Sequence, residues 1–167
     1  VIRVLVSSCL LGEAVRYNGA DSRCRSEILD RWKAEGRLVP VCPEVAAGLP
    51  VPRPPAEIAG GDGSAVLRGA ATVGDSTGAD VTALFLDGAR KVLAEARRAD
   101  ARVAILKDGS PSCATTYISD GTFRGQRDRG RGVTAAILAQ AGIRLFNEHQ
   151  VEEAAAYVSE LEADEKS

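Results

Sequence analysis

Four short apolar runs rich in β-branched residues, near 2–7, 37–42, 102–107 and 143–146, alternate with longer stretches that are apolar at helical spacing. This is the rhythm of repeated βαβ units, in which parallel strands lie side by side and their connecting helices cover the faces of the sheet. It predicts an α/β fold: a Rossmann-like, open and mainly parallel sheet of about four strands, flanked by helices. The helices are read in SEILDRWKAEG, where Ile28, Leu29 and Trp32 precede Gly36, in DVTALFLDGARKVLAEARRAD, in VTAAILAQAG and in VEEAAAYVSELEADEK. A proline-rich loop, LPVPRPPAEIAGG, and the segment SAVLRGAATVG together read as a small hairpin or excursion from the main sheet.

The 167 residues fit one domain, 1–167, with enough interior for a core. Hydrophobic residues make up 45% and charged residues 26%, and the formal net charge is -2, which indicates neither a disordered polyelectrolyte nor a globally basic nucleic-acid binder, and no DNA partner is expected. The opening VIRVLVSSCLLG is apolar, but it has no basic leader and reaches a polar turn too soon to cross a bilayer. It reads as a strand, so no membrane partner is expected. Four cysteines without a secretory leader point to a reducing compartment, the cytoplasm, where thiols serve as ligands or nucleophiles more often than as disulfide partners.

Three of those cysteines, Cys9, Cys42 and Cys113, fall at or just past an apolar run. The carboxyl ends of parallel strands share one edge of the sheet, so thiols far apart in sequence can meet there and build a soft-metal or iron–sulfur site. There is no CxxC pair, which argues against a zinc ribbon or a thioredoxin-type centre. Three thiolates favour an iron–sulfur cubane over closed structural zinc, because the missing fourth ligand leaves one iron open as a Lewis acid. The competing readings are three small buried hydrophobes and a nucleophilic cysteine paired with His149. Cys24, among charges in DSRCRSEIL, reads as a helix-start residue, either a redox-active thiol or solvated surface.

Two carboxylate- and hydroxyl-bearing segments accompany the thiols. Glu44, two residues past Cys42 in Cys-Pro-Glu, is placed to exchange protons with whatever the thiol holds, or is a loop carboxylate. The run from Lys107 to Cys113 carries an ammonium, Ser110, Ser112 and a thiol, all types that also make turns. In FRGQRDRGRG, Arg124, Arg127, Arg129 and Arg131 precede a helix beginning near Gly132. There a substrate phosphate could sit, with a mobile solvated loop as the plain alternative. Arg53 and Glu57 read as a structural pair within their loop.

Residues 4–19 (VLVSSCLLGEAVRYNG), 41–58 (VCPEVAAGLPVPRPPAEI), 106–113 (LKDGSPSC), 120–123 (DGTF) and 130–138 (GRGVTAAIL) resemble, in this order, the thiouracil desulfurase family. The resemblance covers nearly the whole chain. It implies that Cys9, Cys42 and Cys113 hold a [4Fe-4S] cluster with one iron not bound by protein. It also implies non-redox removal of sulfur from a small thiolated pyrimidine, either the base or its nucleotide, with transfer RNA left open. By the same resemblance Glu44 transfers protons and Ser110 positions substrate or water, a part Ser112 could take. Lys107, Arg127 and Gly132 complete the expected substrate contacts. Ala114 stands where the family commonly has glycine, and Asn18 where aspartate often precedes Gly19. The reading from another class is a non-catalytic iron–sulfur or nucleotide-binding module for sensing or sulfur storage, and a zinc hydrolase ranks third.

Overall fold

Alternation along the strands decides the layers. In the computed structural model, which describes residues 1–167, Val4, Val6, Val103 and Ile105 point to one face of a sheet and Leu5, Ala104 and Leu106 to the other. All seven are fully buried, so these strands need cover on both sides, as parallel sheets do. In chain order the elements are β1 (Arg3–Ser7), a 3-10 turn (Ser8–Leu11), α1 (Glu27–Ala34), β2 (Leu38–Val41), α2 (Pro43–Ala46), β3 (Ala56–Ala59), α3 (Gly63–Leu67) and β4 (Thr72–Asp75). There follow α4 (Thr82–Arg98), β5 (Ala101–Leu106), β6 (Tyr117–Ser119), β7 (Arg127–Arg129), α5 (Val133–Gln140), β8 (Arg144–Asn147) and α6 (Val151–Glu165).

The four expected strands are β1, β2, β5 and β8, and they form one parallel sheet in the order β2-β1-β5-β8. Leu29 and Trp32 of α1 pack with Val151, Ala154 and Val158 of α6 on one face, while Val92 and Ala96 of α4 pack with Ala135 and Leu138 of α5 on the other. From β1 the chain goes first to β2 on one side and later to β5 on the opposite side. The crevice at the carboxyl ends therefore lies where the winding reverses, the place where open α/β sheets hold ligands.

The excursion differs in detail from its expectation. β3 and β4 pair antiparallel, Ala56 with Asp75 through Ala59 with Thr72, but SAVL between them is the helix α3. Asp62 starts that helix by accepting a hydrogen bond from the Ala65 N–H at 3.2 Å, a capping signal that outweighs the β-branched valine. The arginine loop is likewise ordered, since β6 and β7 pair antiparallel from Tyr117 with Arg129 to Ser119 with Arg127.

Candidate metal centre and active site

Each of three adjacent strands delivers one thiol to the same edge. Cys9 lies on the turn after β1, Cys42 is the residue before α2 at the end of β2, and Cys113 closes the loop after β5. All three line one cavity of about 420 Å3. Burial is the first cause that raises the Cys9 thiol to about 11, the neighbouring Cys42 adds to it, and Lys107 and Arg16 oppose it. Cys113 is pushed up by burial and by both other thiols against a hydrogen bond from the Ser7 hydroxyl, and Cys42 is raised mainly by burial. Cys9 and Cys113 thus each feel the charge of a neighbouring thiol.

Cys9, Cys42 and Cys113 line one cavity from three separate segments of chain, and a polynuclear cluster takes its thiolate ligands on separate irons. Three soft sulfur donors in a largely desolvated recess are the donor set such a cluster takes, and loading it displaces the thiol protons. The residues present fit the group.

Glu44 lies in the first turn of α2 and reaches the cavity. Its Oε1 accepts from Arg53 Nε at 3.1 Å and its Oε2 from the Ser112 hydroxyl at 3.2 Å. The expected pairing of Arg53 with Glu57 is therefore corrected. Glu57 instead accepts from the N–H groups of Gly121 and Phe123, at 3.0 and 3.1 Å, and so holds the DGTF turn. Ser110 also lines the cavity, and its oxygen accepts from the N–H groups of Ser112 and Cys113 at 3.0 and 3.1 Å, which folds the SPSC turn. Lys107 lines the cavity while its ammonium is held by Glu148 at 2.9 Å.

Asp108, which sequence reasoning passed over, anchors this whole loop. Burial raises its carboxyl, but bonds from the Thr116 hydroxyl and from the N–H groups of Thr115, Thr116 and Tyr117 outweigh that and keep it low. Asn147 at the end of β8 adds a bond at 3.3 Å. The available signal was an Asp directly after a strand and ahead of Gly, a pattern for local side-chain to backbone bonding.

Gly132 is not a phosphate cradle. Its N–H donates to Ala114 O at 2.9 Å, and the first and third N–H groups of α5 go to Pro111 O and Ser112 O at 2.9 and 3.0 Å, so the helix start is already occupied by the SPSC loop. A Cβ at Gly132 would lie 2.4 Å from the Ser112 backbone. Gly132→Ala is therefore expected to destabilise the chain by about 1–3 kcal/mol, the usual scale of overpacking, read as a lowered thermal midpoint. Of the loop arginines, Arg127 reaches the cavity and lies over the Tyr117 ring at 4.4 Å, while Arg124, Arg129 and Arg131 are exposed and outside its lining.

His149 lies outside the lining of the cavity that holds Cys9, Cys42 and Cys113, so it does not pair with them there, and its backbone N–H donates to Asn147 Oδ1 at 2.9 Å. Cys24 is also outside, in the loop before α1 and not at the helix start, which belongs to Ser26. It is half-buried with its thiol donating to Glu148 O at 3.6 Å. Asn18 accepts from the Ala20 N–H at 3.0 Å, a turn that aspartate would make equally well, and Ala114 is fully buried.

A family model described as 2-thiouracil desulfurase matches residues 4–150. YbbK, an uncharacterized protein of Bacillus subtilis (strain 168), is 47% identical over 148 residues, covering 89% of this chain and 97% of that protein. The solved structure of the [4Fe-4S]-dependent thiouracil desulfidase TudS superposes with a TM-score of 0.86 at 43% identity, covering 95% of this chain and 99% of the other. With this agreement in sequence, in fold and along nearly the full length, the chain belongs to the 2-thiouracil desulfurase family.

Proposed function

We propose that the chain, acting as one domain over 1–167, is a desulfidase that exchanges the sulfur of a small thiolated pyrimidine for the oxygen of water and releases hydrosulfide, with no net electron transfer. The observation that carries this reading is the meeting of Cys9, Cys42 and Cys113 in one cavity with Glu44. Cys9, Cys42 and Cys113 would hold a [4Fe-4S] cluster, and an iron of that cluster without a protein thiolate supplies a Lewis acid for the thiocarbonyl sulfur. Four free thiols suit a reducing compartment such as the cytoplasm.

The protein's own part is protonic. Glu44, its Oε2 joined to the Ser112 hydroxyl, takes a proton from the attacking water or gives one to the ring. Ser110 retains its own hydroxyl proton for a substrate oxygen or nitrogen, because its oxygen is the acceptor in both of its bonds. Lys107 and Arg16 supply positive charge beside Cys9, and Arg127 stands at the cavity for the phosphate of a nucleotide substrate. Glu44 and Ser110 both lining the thiol cavity favours an enzyme over a sensing or sulfur-storage module.

The test is hydrosulfide release by the anaerobically reconstituted chain from thiouracil, from thiolated uridine monophosphate and from thiolated transfer RNA. Turnover of the base or the nucleotide is expected. Tight binding of both without any hydrosulfide would turn the assignment to the binding module.

A further inference from the structure

Arg53 is a buried cation whose donors are committed to three separate stretches of chain. Its side chain is 4% exposed, its Nε donates to Glu44 Oε1 at 3.1 Å, its Nη1 to Pro50 O at 3.1 Å and its Nη2 to Val15 O at 2.9 Å. Its backbone N–H donates to Tyr17 O at 2.7 Å. Arg16 and Tyr17 line the cavity, so one residue ties that lining segment to the carboxylate at the end of β2. A planar guanidinium fork meets three acceptors in fixed directions, which an ammonium does not.

We infer that Arg53 is a positioning residue for Glu44: its bond to Oε1, together with that of the buried Ser112 hydroxyl to Oε2, fixes the carboxylate in the orientation in which it exchanges a proton with substrate. The inference rests on the proton-transfer role proposed for Glu44. Without the cation the carboxylate loses one of its two partners and the rotamer they jointly hold. Reacting groups displaced by about 1 Å can lose about 100-fold in rate, so the effect belongs in kcat. Arg53 lines the thiol cavity, but each of its three side-chain nitrogens already donates to a protein acceptor, so cluster content and substrate affinity are expected to stay.

The experiment is a double-mutant cycle on the reconstituted full chain with Arg53→Lys, Glu44→Gln and both together, reading kcat, KM and iron content. Arg53→Lys is expected to lower kcat by about 10- to 100-fold, with KM within about 3-fold and iron unchanged. In the Glu44→Gln background the same substitution should lower kcat no further. Losses that multiply, a rise in KM alone, or loss of iron would each overturn the inference, because Arg53 would then act independently of Glu44. If Glu44→Gln itself turns over normally, the Glu44 role fails and the positioning role fails with it, an outcome distinct from a slow Glu44→Gln with multiplying losses. Arg53→Met, similar in length and uncharged, repeats the cycle on the cluster-free chain by thermal unfolding. There Glu44→Gln should lower the midpoint less in the Arg53→Met background than with Arg53 present, and equal losses would mean that the two residues are not coupled.

Discussion

Cys9→Ser, Cys42→Ser and Cys113→Ser are each expected to drop to the iron and hydrosulfide background of the unreconstituted chain, while Cys24→Ser keeps both. A serine hydroxyl is a far weaker acid and a harder donor than a thiol, so it does not replace an iron-bound thiolate at neutral pH. The three cavity thiols come from the segments that follow three different strands, so removal of one leaves two ligands with no other thiol in the cavity lining to take its place. Cys24 stands outside that cavity, and its bond to Glu148 O is one that a hydroxyl also makes. Iron and acid-labile sulfide measured anaerobically across the four variants decide the point. Loss of iron in Cys24→Ser would mean ligation by four cysteines and an electron-transfer role in place of the proposed one.

The parts of the molecule that could be read from sequence are those governed by local pattern. The four sheet strands and the helices after them have apolar periods that survive any tertiary arrangement, and the observed ends of those strands lie within one residue of the expected ones. The thiol convergence followed from a single topological rule applied to three strand ends. What stayed hidden depended on which distant backbone comes close. Nothing near Gly132 reports that α3 and the SPSC loop press on it from two sides, yet Gly63 and Gly132 both lack room for a Cβ, and that contact excludes a phosphate. Arg53 is nine residues from Glu44 and four from Glu57, so proximity in sequence favoured the wrong carboxylate. The hydrogen bonds from Arg53 to Pro50 and Val15 decide the direction of its side chain. The hairpin of β6 and β7 was missed for a related reason, since its strands are three residues each and β7 is wholly exposed.

Glu44→Gln separates catalysis from assembly. No thiol is touched, so iron content should stay at the level of the unsubstituted chain, while turnover falls on the order of 100-fold or more, the usual scale for removing a general acid or base. The amide is close in shape to the carboxylate: its oxygen can still accept from Arg53 or from Ser112, so positions in the cavity shift little. What it lacks is an oxygen that can take and return a proton. The substitution also leaves the buried guanidinium of Arg53 without its counter-charge, a penalty that falls on stability and is visible as a lower thermal midpoint. Hydrosulfide release is followed with thiouracil and with thiolated uridine monophosphate, each at saturating concentration, so that kcat is read apart from binding. Near-normal turnover on the better substrate would take Glu44 out of the mechanism and leave Ser110 or a bound water as the proton carrier. A deep loss with full iron would place the proton-transferring step on the carboxylate that Arg53 and Ser112 hold between them.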